Sequence, residues 1–330
     1  MSLCTEQTNN LSILVKPPPK VTIGLPVFQG EVYLKQAIDS LLNQTYRDFV
    51  LVISDDASTD RTNEICEHYQ QKNPQIIYSR NQVNLGAQGN LLKILKDAKS
   101  EYFVWASQDD YWAEDFLLLL VEKLEENEGL SLAFSAIELI DSELTARKLS
   151  FAGRWNPNKL THYELISALL LPVSKFSWLK TNLAVHGVVR TEALKAAFDH
   201  LIGIANQDRI YILFLIFQGR WGYIDEKLYY RRTFTGYLLR EKIIDSISKS
   251  QKSKITPLIC GMKMIYGTMR FTDIPIKMKL YAFVIVILYC ICSYWAKFIE
   301  LLSNLIQTWG SESLFKSVRT LYRSFKESFK

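Results

Sequence analysis

From Val21 onward the chain alternates short apolar runs with segments whose apolar residues recur at helical spacing, and this alternation constrains the fold most tightly. Residues 21–25, 49–53, 76–78, 102–106 and 131–135 read as strands, and residues 33–42, 59–71, 90–98 and 117–124 as helices. Short, fully apolar strands separated by helices predict a mostly parallel, doubly wound α/β sheet covered on both faces. Between 140 and 181 the periodicity weakens, with polar stretches around Arg154-Trp155-Asn156-Pro157, and long irregular segments in compact domains commonly carry function or movement. Helices are expected again near 191–200 and over 208–217, followed by short apolar pieces at 223–224 and 228–230. The domain that starts at 21 is expected to end near Gly236.

A chain of 330 residues has room for one large or two ordinary domains. The net charge of +5 is mild but unevenly spread. Residues 240–330 hold 15 Lys/Arg against 6 Asp/Glu, whereas the preceding stretch holds 24 against 28. A basic tail on a slightly acidic body is expected to meet an anionic surface, and no nucleic-acid partner is expected. The five cysteines (Cys4, Cys66, Cys260, Cys290, Cys292) are odd in number and lack metal-ligand spacing, which suits reduced thiols in a cytoplasmic setting. Residues 1–20 lack the pattern of a secretion signal, and Pro17-Pro18-Pro19 marks them as a disordered leader.

Gln108-Asp109-Asp110-Tyr111-Trp112 follows directly on the apolar run 102–106. Carboxylates at the carboxyl end of such a strand sit where open α/β sheets bind ligands. Two like charges side by side ask for a cation, and a divalent metal holding a diphosphate meets that need. A helix-capping turn is the plainer alternative. Asp55-Asp56-Ala57-Ser58-Thr59-Asp60 closes the second strand in the same way; Ser58 or Thr59 suffices for capping, leaving Asp56 as a candidate contact to a nucleobase or ribose. Asn84-Leu85-Gly86-Ala87-Gln88-Gly89-Asn90 is a glycine-bearing turn into a helix, suited to an anion or simply to a connection. No Gly-x-Gly-x-x-Gly follows the first strand and no phosphate loop ends in Gly-Lys-Ser/Thr, which argues against a nicotinamide dehydrogenase or an ordinary NTPase. Asp208 opens an apolar helix and reads either as a dipole-favoured terminal acid or as a general base for an acceptor hydroxyl. Arg231 and Arg232 end an apolar run and read either as diphosphate ligands or as a solvated basic edge. His186 beside Gly187 reads as a site-lining residue or as an ordinary structural histidine.

Taken in order, these segments resemble family 2 glycosyltransferases of the GT-A, Rossmann-like fold. The resemblance spans roughly residues 21–231. It rests on Val21-Thr22-Ile23-Gly24-Leu25-Pro26-Val27-Phe28, Leu41-Leu42-Asn43-Gln44-Thr45-Tyr46, the Asp55–Asp60 block, Asn84-Leu85-Gly86 with Asn90, residues 98–102, and Gln108-Asp109-Asp110 in the place of an Asp-x-Asp-type metal motif. It implies that Pro26, Phe28 and Asp56 surround the base of a nucleotide-sugar. Asp109 would touch its sugar or ribose side, and Asp110 would hold Mg²⁺ or Mn²⁺ on the diphosphate. Asp208 matches the acid of a later motif and would be the base of an inverting displacement. The sequence departs from the family pattern at Ser107, where many relatives carry a further acid, and at Tyr230-Arg231-Arg232-Thr233, which lacks a histidine; a diphosphate contact from Arg231 or Arg232 would substitute for it.

The C-terminal region, 237–330, is expected to be a basic helical extension. Residues 280–296 carry no charge and are flanked by lysines, the short limit for a spanning helix, while a core or interfacial helix is the alternative. Leu314, Val318, Leu321, Tyr322, Phe325 and Phe329 share one helix face opposite Lys316, Arg319, Arg323, Lys326 and Lys330. That is the pattern of a helix lying on an anionic membrane surface, peripheral or with a single pass, at the cytoplasmic face. The expectation is therefore a metal-assisted glycosyltransferase of surface polysaccharide biosynthesis. Its donor would be a nucleotide-sugar, and its acceptor a glycan or a lipid-linked acceptor. A nucleotidyltransferase, and a catalytically inactive nucleotide-sugar-binding or membrane scaffold protein, are the competing expectations.

Overall fold

The computed structural model describes residues 17–141, 144, 146–150, 157–161, 164–165, 184–199, 215–216, 218–233, 276–277, 280 and 284. Among the described residues nine strands form one sheet: β1 (Val21–Val27), β2 (Phe49–Asp55), β3 (Ile76–Arg80), β4 (Tyr102–Trp105), β5 (Tyr111–Trp112), β6 (Leu130–Ile140), β7 (Ala146–Ser150), β8 (Val188–Arg190) and β9 (Arg220–Arg232). The described helices are α1 (Leu34–Leu42), α2 (Thr62–Lys72), α3 (Gly86–Asp97), α4 (Phe116–Glu125) and α5 (Thr191–Asp199). The strand order is β3-β2-β1-β4-β8-β6-β9-β5, with β7 paired to β6. Strands β3, β2, β1, β4, β6 and β9 run the same way, whereas β8, β5 and β7 run against them. The predicted helix-covered α/β sheet is thus present, but it is mixed: four of its pairings are parallel and four antiparallel, and the all-parallel run is confined to β3-β2-β1-β4.

Pleating divides the core between the two faces. Val21, Ile23, Leu25 and Val27 of β1, with Tyr102 and Val104 of β4, pack beneath Leu34, Ala37, Ile38 and Leu41 of α1 and the buried stripe of α4. Phe103 and Trp105 point the other way, into a cluster with Ile94 and Leu95 of α3, Leu194 and Ala197 of α5, and Trp221 of β9. All four residues of β4 are buried, as a central strand covered on both sides requires. Each fully buried Leu, Ile or Phe contributes roughly 1.5–3 kcal/mol of transfer free energy. Gly24 lets this packing close, because a Cβ there would stand 2.6 Å from the Phe103 ring and 2.9 Å from Ile94 Cγ2.

Two sequence expectations change. The apolar pieces at 223–224 and 228–230 are one thirteen-residue strand, β9. Asp225, Glu226 and Lys227 are its exposed middle, where the register against β6 shifts between Ser135 and Ala136. The stretch expected to be irregular contains β7, antiparallel to β6, and a 3₁₀ turn at Pro157–Lys159. Among the described residues, no helix is long and apolar enough to cross a membrane. The leader 1–16, the two proposed tail helices (apart from Leu280 and Val284) and Asp208 lie outside the described residues.

Candidate active site

Parallel strands bring their carboxyl ends to one edge of the sheet. The loops after β1, β2 and β4 meet there, and β9 ends beside them. Gln108, at the tip of the β4 loop, pairs with the main chain of Phe28. Phe28 N–H donates to its Oε1 at 2.8 Å, and its Nε2 donates to the Phe28 carbonyl at 3.0 Å. Gly30 is needed beneath this pair, since a Cβ would come within 2.9 Å of Gln108 Oε1. The β1 loop is bound equally closely to the β2 loop. Gln29 N–H donates to Ser58 Oγ at 3.0 Å, Gly30 N–H to Thr62 Oγ1 at 2.8 Å, and Glu31 N–H to Asp60 Oδ2 at 3.1 Å. Gln29 and Ala57 hold left-handed backbone (φ 53° and 62°), conformations that such a net of contacts over-determines.

Asp55 and Asp56 divide their work. Asp55 is fully buried and ties its own turn, accepting Ser58 N–H at 2.9 Å and the Tyr78 hydroxyl at 3.1 Å, with Arg80 Nε at 3.4 Å. Asp56 accepts Asn81 Nδ2–H at 2.9 Å and Leu85 N–H at 2.8 Å, both on Oδ1. The glycine-bearing turn before α3 is thereby fastened to Asp56. Pro26 is half-buried, and Phe28, between the ends of β2 and β4, leaves 46% of its surface exposed.

The acidic pair is asymmetric. Asp109 is half-buried, and Ser107 Oγ–H donates to its Oδ1 at 2.5 Å; its Oδ2 carries no hydrogen bond among the described residues. Asp110 is only 4% exposed and both of its oxygens are taken. The Tyr229 hydroxyl donates to Oδ2 and Arg232 N–H to Oδ1 at 2.9 Å. Burial, then the neighbouring charge of Asp109, pushes the Asp110 carboxyl up to about 7, against the opposing pull of the Tyr229 hydroxyl, the Arg232 N–H and the Arg231 charge. The expected assignment of the metal to Asp110 therefore meets a geometric obstacle. The more accessible carboxylate is that of Asp109.

Arg232 likewise differs from the expectation of a diphosphate ligand. It is buried, with Nε donating to the Asp109 carbonyl at 2.8 Å, Nη1 to the Asp141 carbonyl at 2.6 Å and Nη2 to Gln36 Oε1 at 2.8 Å. Its guanidinium lies 4.3 Å from the centre of the Tyr33 ring. This is a structural hub that joins β9, the Asp109 loop, α1 and the end of β6. Arg231, half-buried, lies close enough for its charge to act on Asp110, Tyr229 and His186. The His186 ring stacks on Tyr229 at 4.8 Å, and burial, then Arg231, pushes the imidazole down to about 4, leaving it neutral.

The sequence thus led to Pro26, Phe28, Asp56, Asp109, Asp110, Arg231 and Arg232, and the fold gathers all seven at one edge. It did not single out Gln108 as a loop tie or Tyr229 as a partner of Asp110. The only signal for Tyr229 was its place beside the two arginines.

Residues 22–175 match the profile of Glycosyl transferase family 2. Glycosyltransferase GlyA of Streptococcus pneumoniae serotype 4 is 31% identical over 107 residues, which is 32% of this chain and 15% of that protein. The GalNAc(5)-diNAcBac-PP-undecaprenol beta-1,3-glucosyltransferase of Campylobacter jejuni is 32% identical over 137 residues, 41% of this chain and 43% of that protein. The chain therefore spans less than half the length of these two relatives. In fold it resembles the crystal structure of S. aureus TarS 1-349 in complex with UDP-GlcNAc, with a TM-score of 0.58, 17% identity, and coverage of 87% of this chain and 81% of that one. Residues 22–175, a little under half of the chain, are thus similar to glycosyl transferase family 2, and the fold is of the GT-A type.

Proposed function

We infer that the protein transfers a sugar from a nucleoside-diphosphate sugar to a hydroxyl of a glycan or lipid-linked acceptor, with inversion, in the building of a surface polysaccharide. The observation that carries this reading is the sheet edge where Asp56 and Asp109 follow the parallel strands on either side of β1, with Phe28 exposed between them. Carboxylates at a strand-end crevice, spaced by one strand, suit the base or ribose at one end of the donor and its diphosphate at the other. Pro26, Phe28 and Asp56 form the nucleoside end in this reading.

The residues fit a hard divalent cation. Among the described residues no three ligand-type side chains converge, but Asp109 Oδ2 accepts no hydrogen bond there, and one carboxylate oxygen is what Mg²⁺ or Mn²⁺ takes when phosphate oxygens supply the rest. Asp109 would hold the ion, Asp110 would set the direction of Asp109 from behind, and Arg231 would add positive charge beside the diphosphate. Bound there, the ion would neutralise charge on the departing nucleoside diphosphate. In the displacement the acceptor oxygen bonds to the anomeric carbon as the bond from that carbon to the diphosphate breaks. Asp208 is the proposed base that takes the acceptor's proton.

The undecaprenol-linked acceptor of the Campylobacter relative is of the class expected here. Contact with an anionic membrane at its cytoplasmic face would bring the site to such a substrate. The basic tail supports this, as do Ile276, Leu280 and Val284, which have helical backbone and stand 62%, 56% and 50% exposed at a sequence spacing of four. The test is a thermal-shift screen of nucleotide-sugars with Mn²⁺ on the full chain, followed by turnover of the stabilising donor in the presence of membranes. Stabilisation by one donor and its turnover, abolished in Asp208→Asn, are expected. Binding without turnover by the wild-type chain would favour a binding protein over an enzyme.

A further inference from the structure

Tyr229 and Asp110 are 119 residues apart in sequence and meet in the interior. Tyr229 is 1% exposed. Its ring packs against those of Trp112, at 5.7 Å and 37°, and His186, at 4.8 Å and 26°. Three aromatic rings from β5, β9 and the segment before β8 thus fix where the hydroxyl points, and it points at Asp110 Oδ2. The other oxygen receives the N–H of Arg232, three residues along the same strand, while the Arg232 side chain takes the carbonyl of Asp109. The end of β9 therefore grips the acidic pair at three points: both oxygens of one carboxylate and the main chain of the other.

For stability alone this is a poor arrangement. An ionisable group buried beside a like charge costs more than an uncharged pair of the same shape. What the arrangement provides is orientation. With Asp110 held at both oxygens and Asp109 at its carbonyl, the main chain of the pair is anchored from β9, and on that anchored backbone Ser107 Oγ–H, donating to Oδ1, sets the direction of the Asp109 carboxylate. We propose that Tyr229 is a positioning residue of the metal site, acting on Asp109 by anchoring Asp110, the next residue in the chain. The inference rests on the glycosyltransferase reading only in that Asp109 is taken as the metal ligand.

The experiment is Mn²⁺ binding to the full chain, followed by the electron paramagnetic resonance signal of free Mn²⁺, with the metal alone as the probe. Tyr229→Phe removes one oxygen and leaves the three-ring stack. The expected result is Mn²⁺ affinity about tenfold weaker, the low end of what loss of a supporting partner around a metal site commonly costs. Asp110→Asn and the double variant close a thermodynamic cycle. If Tyr229 works through Asp110, the double variant binds no more weakly than Asp110→Asn alone. Unchanged affinity in Tyr229→Phe, or losses that simply add, would overturn the positioning role while leaving the proposed function standing. A wild-type chain that binds Mn²⁺ no better than Asp109→Asn would overturn the metal site itself, and the inference with it.

Discussion

The two halves of the sheet hold the active edge by different means. In β3-β2-β1-β4, short loops after parallel strands are tied to one another by side chains that bond main chain: Gln108 to Phe28, Ser58 to Gln29, Thr62 to Gly30. In β8-β6-β9-β5, antiparallel neighbours interrupt the parallel run, and support comes from buried side chains at the end of one long strand. The first half builds its edge from loops 29 to 80 residues apart in the chain. The second supplies the rigid backing through contacts that span about a third of it, Tyr229 to Asp110 above all. Substitutions in the first half should therefore register in binding and turnover, and those in the second, Tyr229 with its proposed hold on the acidic pair apart, in stability.

The sharpest break of this contrast is Asp109→Asn. Sugar transfer is expected to fall by roughly 10²–10³-fold, as for removal of one preorganised electrostatic contact, with the melting temperature nearly unchanged. Full donor turnover in the variant would move the chemistry away from this edge. Asp110→Asn should behave in the opposite sense for stability. The Asp110 carboxyl stands near 7 when folded against 3.8 in the unfolded chain, so the folded protein holds a proton that the unfolded one releases, and stability from this group is lost as pH rises between those values. Denaturant titrations in chelator should show the variant gaining on the wild type with rising pH, by at most about 1.4 kcal/mol per unit. A difference that stays flat from pH 5 to pH 7 would mean that Asp110 is not strained by its surroundings.

Gly187 tests the second half on its own. A Cβ there would stand 2.3 Å from the Ala133 carbonyl, where β8 meets β6. Gly187→Ala should cost about 1–3 kcal/mol in denaturant midpoints, with donor affinity retained in the folded fraction. The smallest effect belongs to the first half. Gln108→Ala removes both bonds to Phe28 and should weaken donor binding about tenfold, roughly 1.4 kcal/mol, by calorimetry. If its melting temperature fell as far as that of Gly187→Ala, the contrast between the halves would fail.

The same contrast explains what could be read from the sequence. Strands β1–β4 and β6 and the helices between them announce themselves, because each is long enough for its period to repeat and is bounded by its own turn. β5 and β8, of two and three residues, are too short to show a period. β9 was read as two pieces because Asp225-Glu226-Lys227 interrupts its apolar run, and only the partner strand reveals a bulge. Asp56 and Asp109 were legible from their places after apolar strands. Which member of the Asp109-Asp110 pair is sealed in was not, since that depends on Tyr229. Arg232 looked like an anion ligand because its acceptors, Asp141, Gln36 and the Asp109 carbonyl, come from three other segments.

The single carboxamide of Gln108 has a consequence for how such a protein can change. One side chain completes the hydrogen bonding of the Phe28 main chain and stands immediately before the acidic pair, so the proposed nucleoside end and the proposed diphosphate end share a part. A lineage that altered its preferred base by reshaping the Phe28 loop would at once disturb the acids next door.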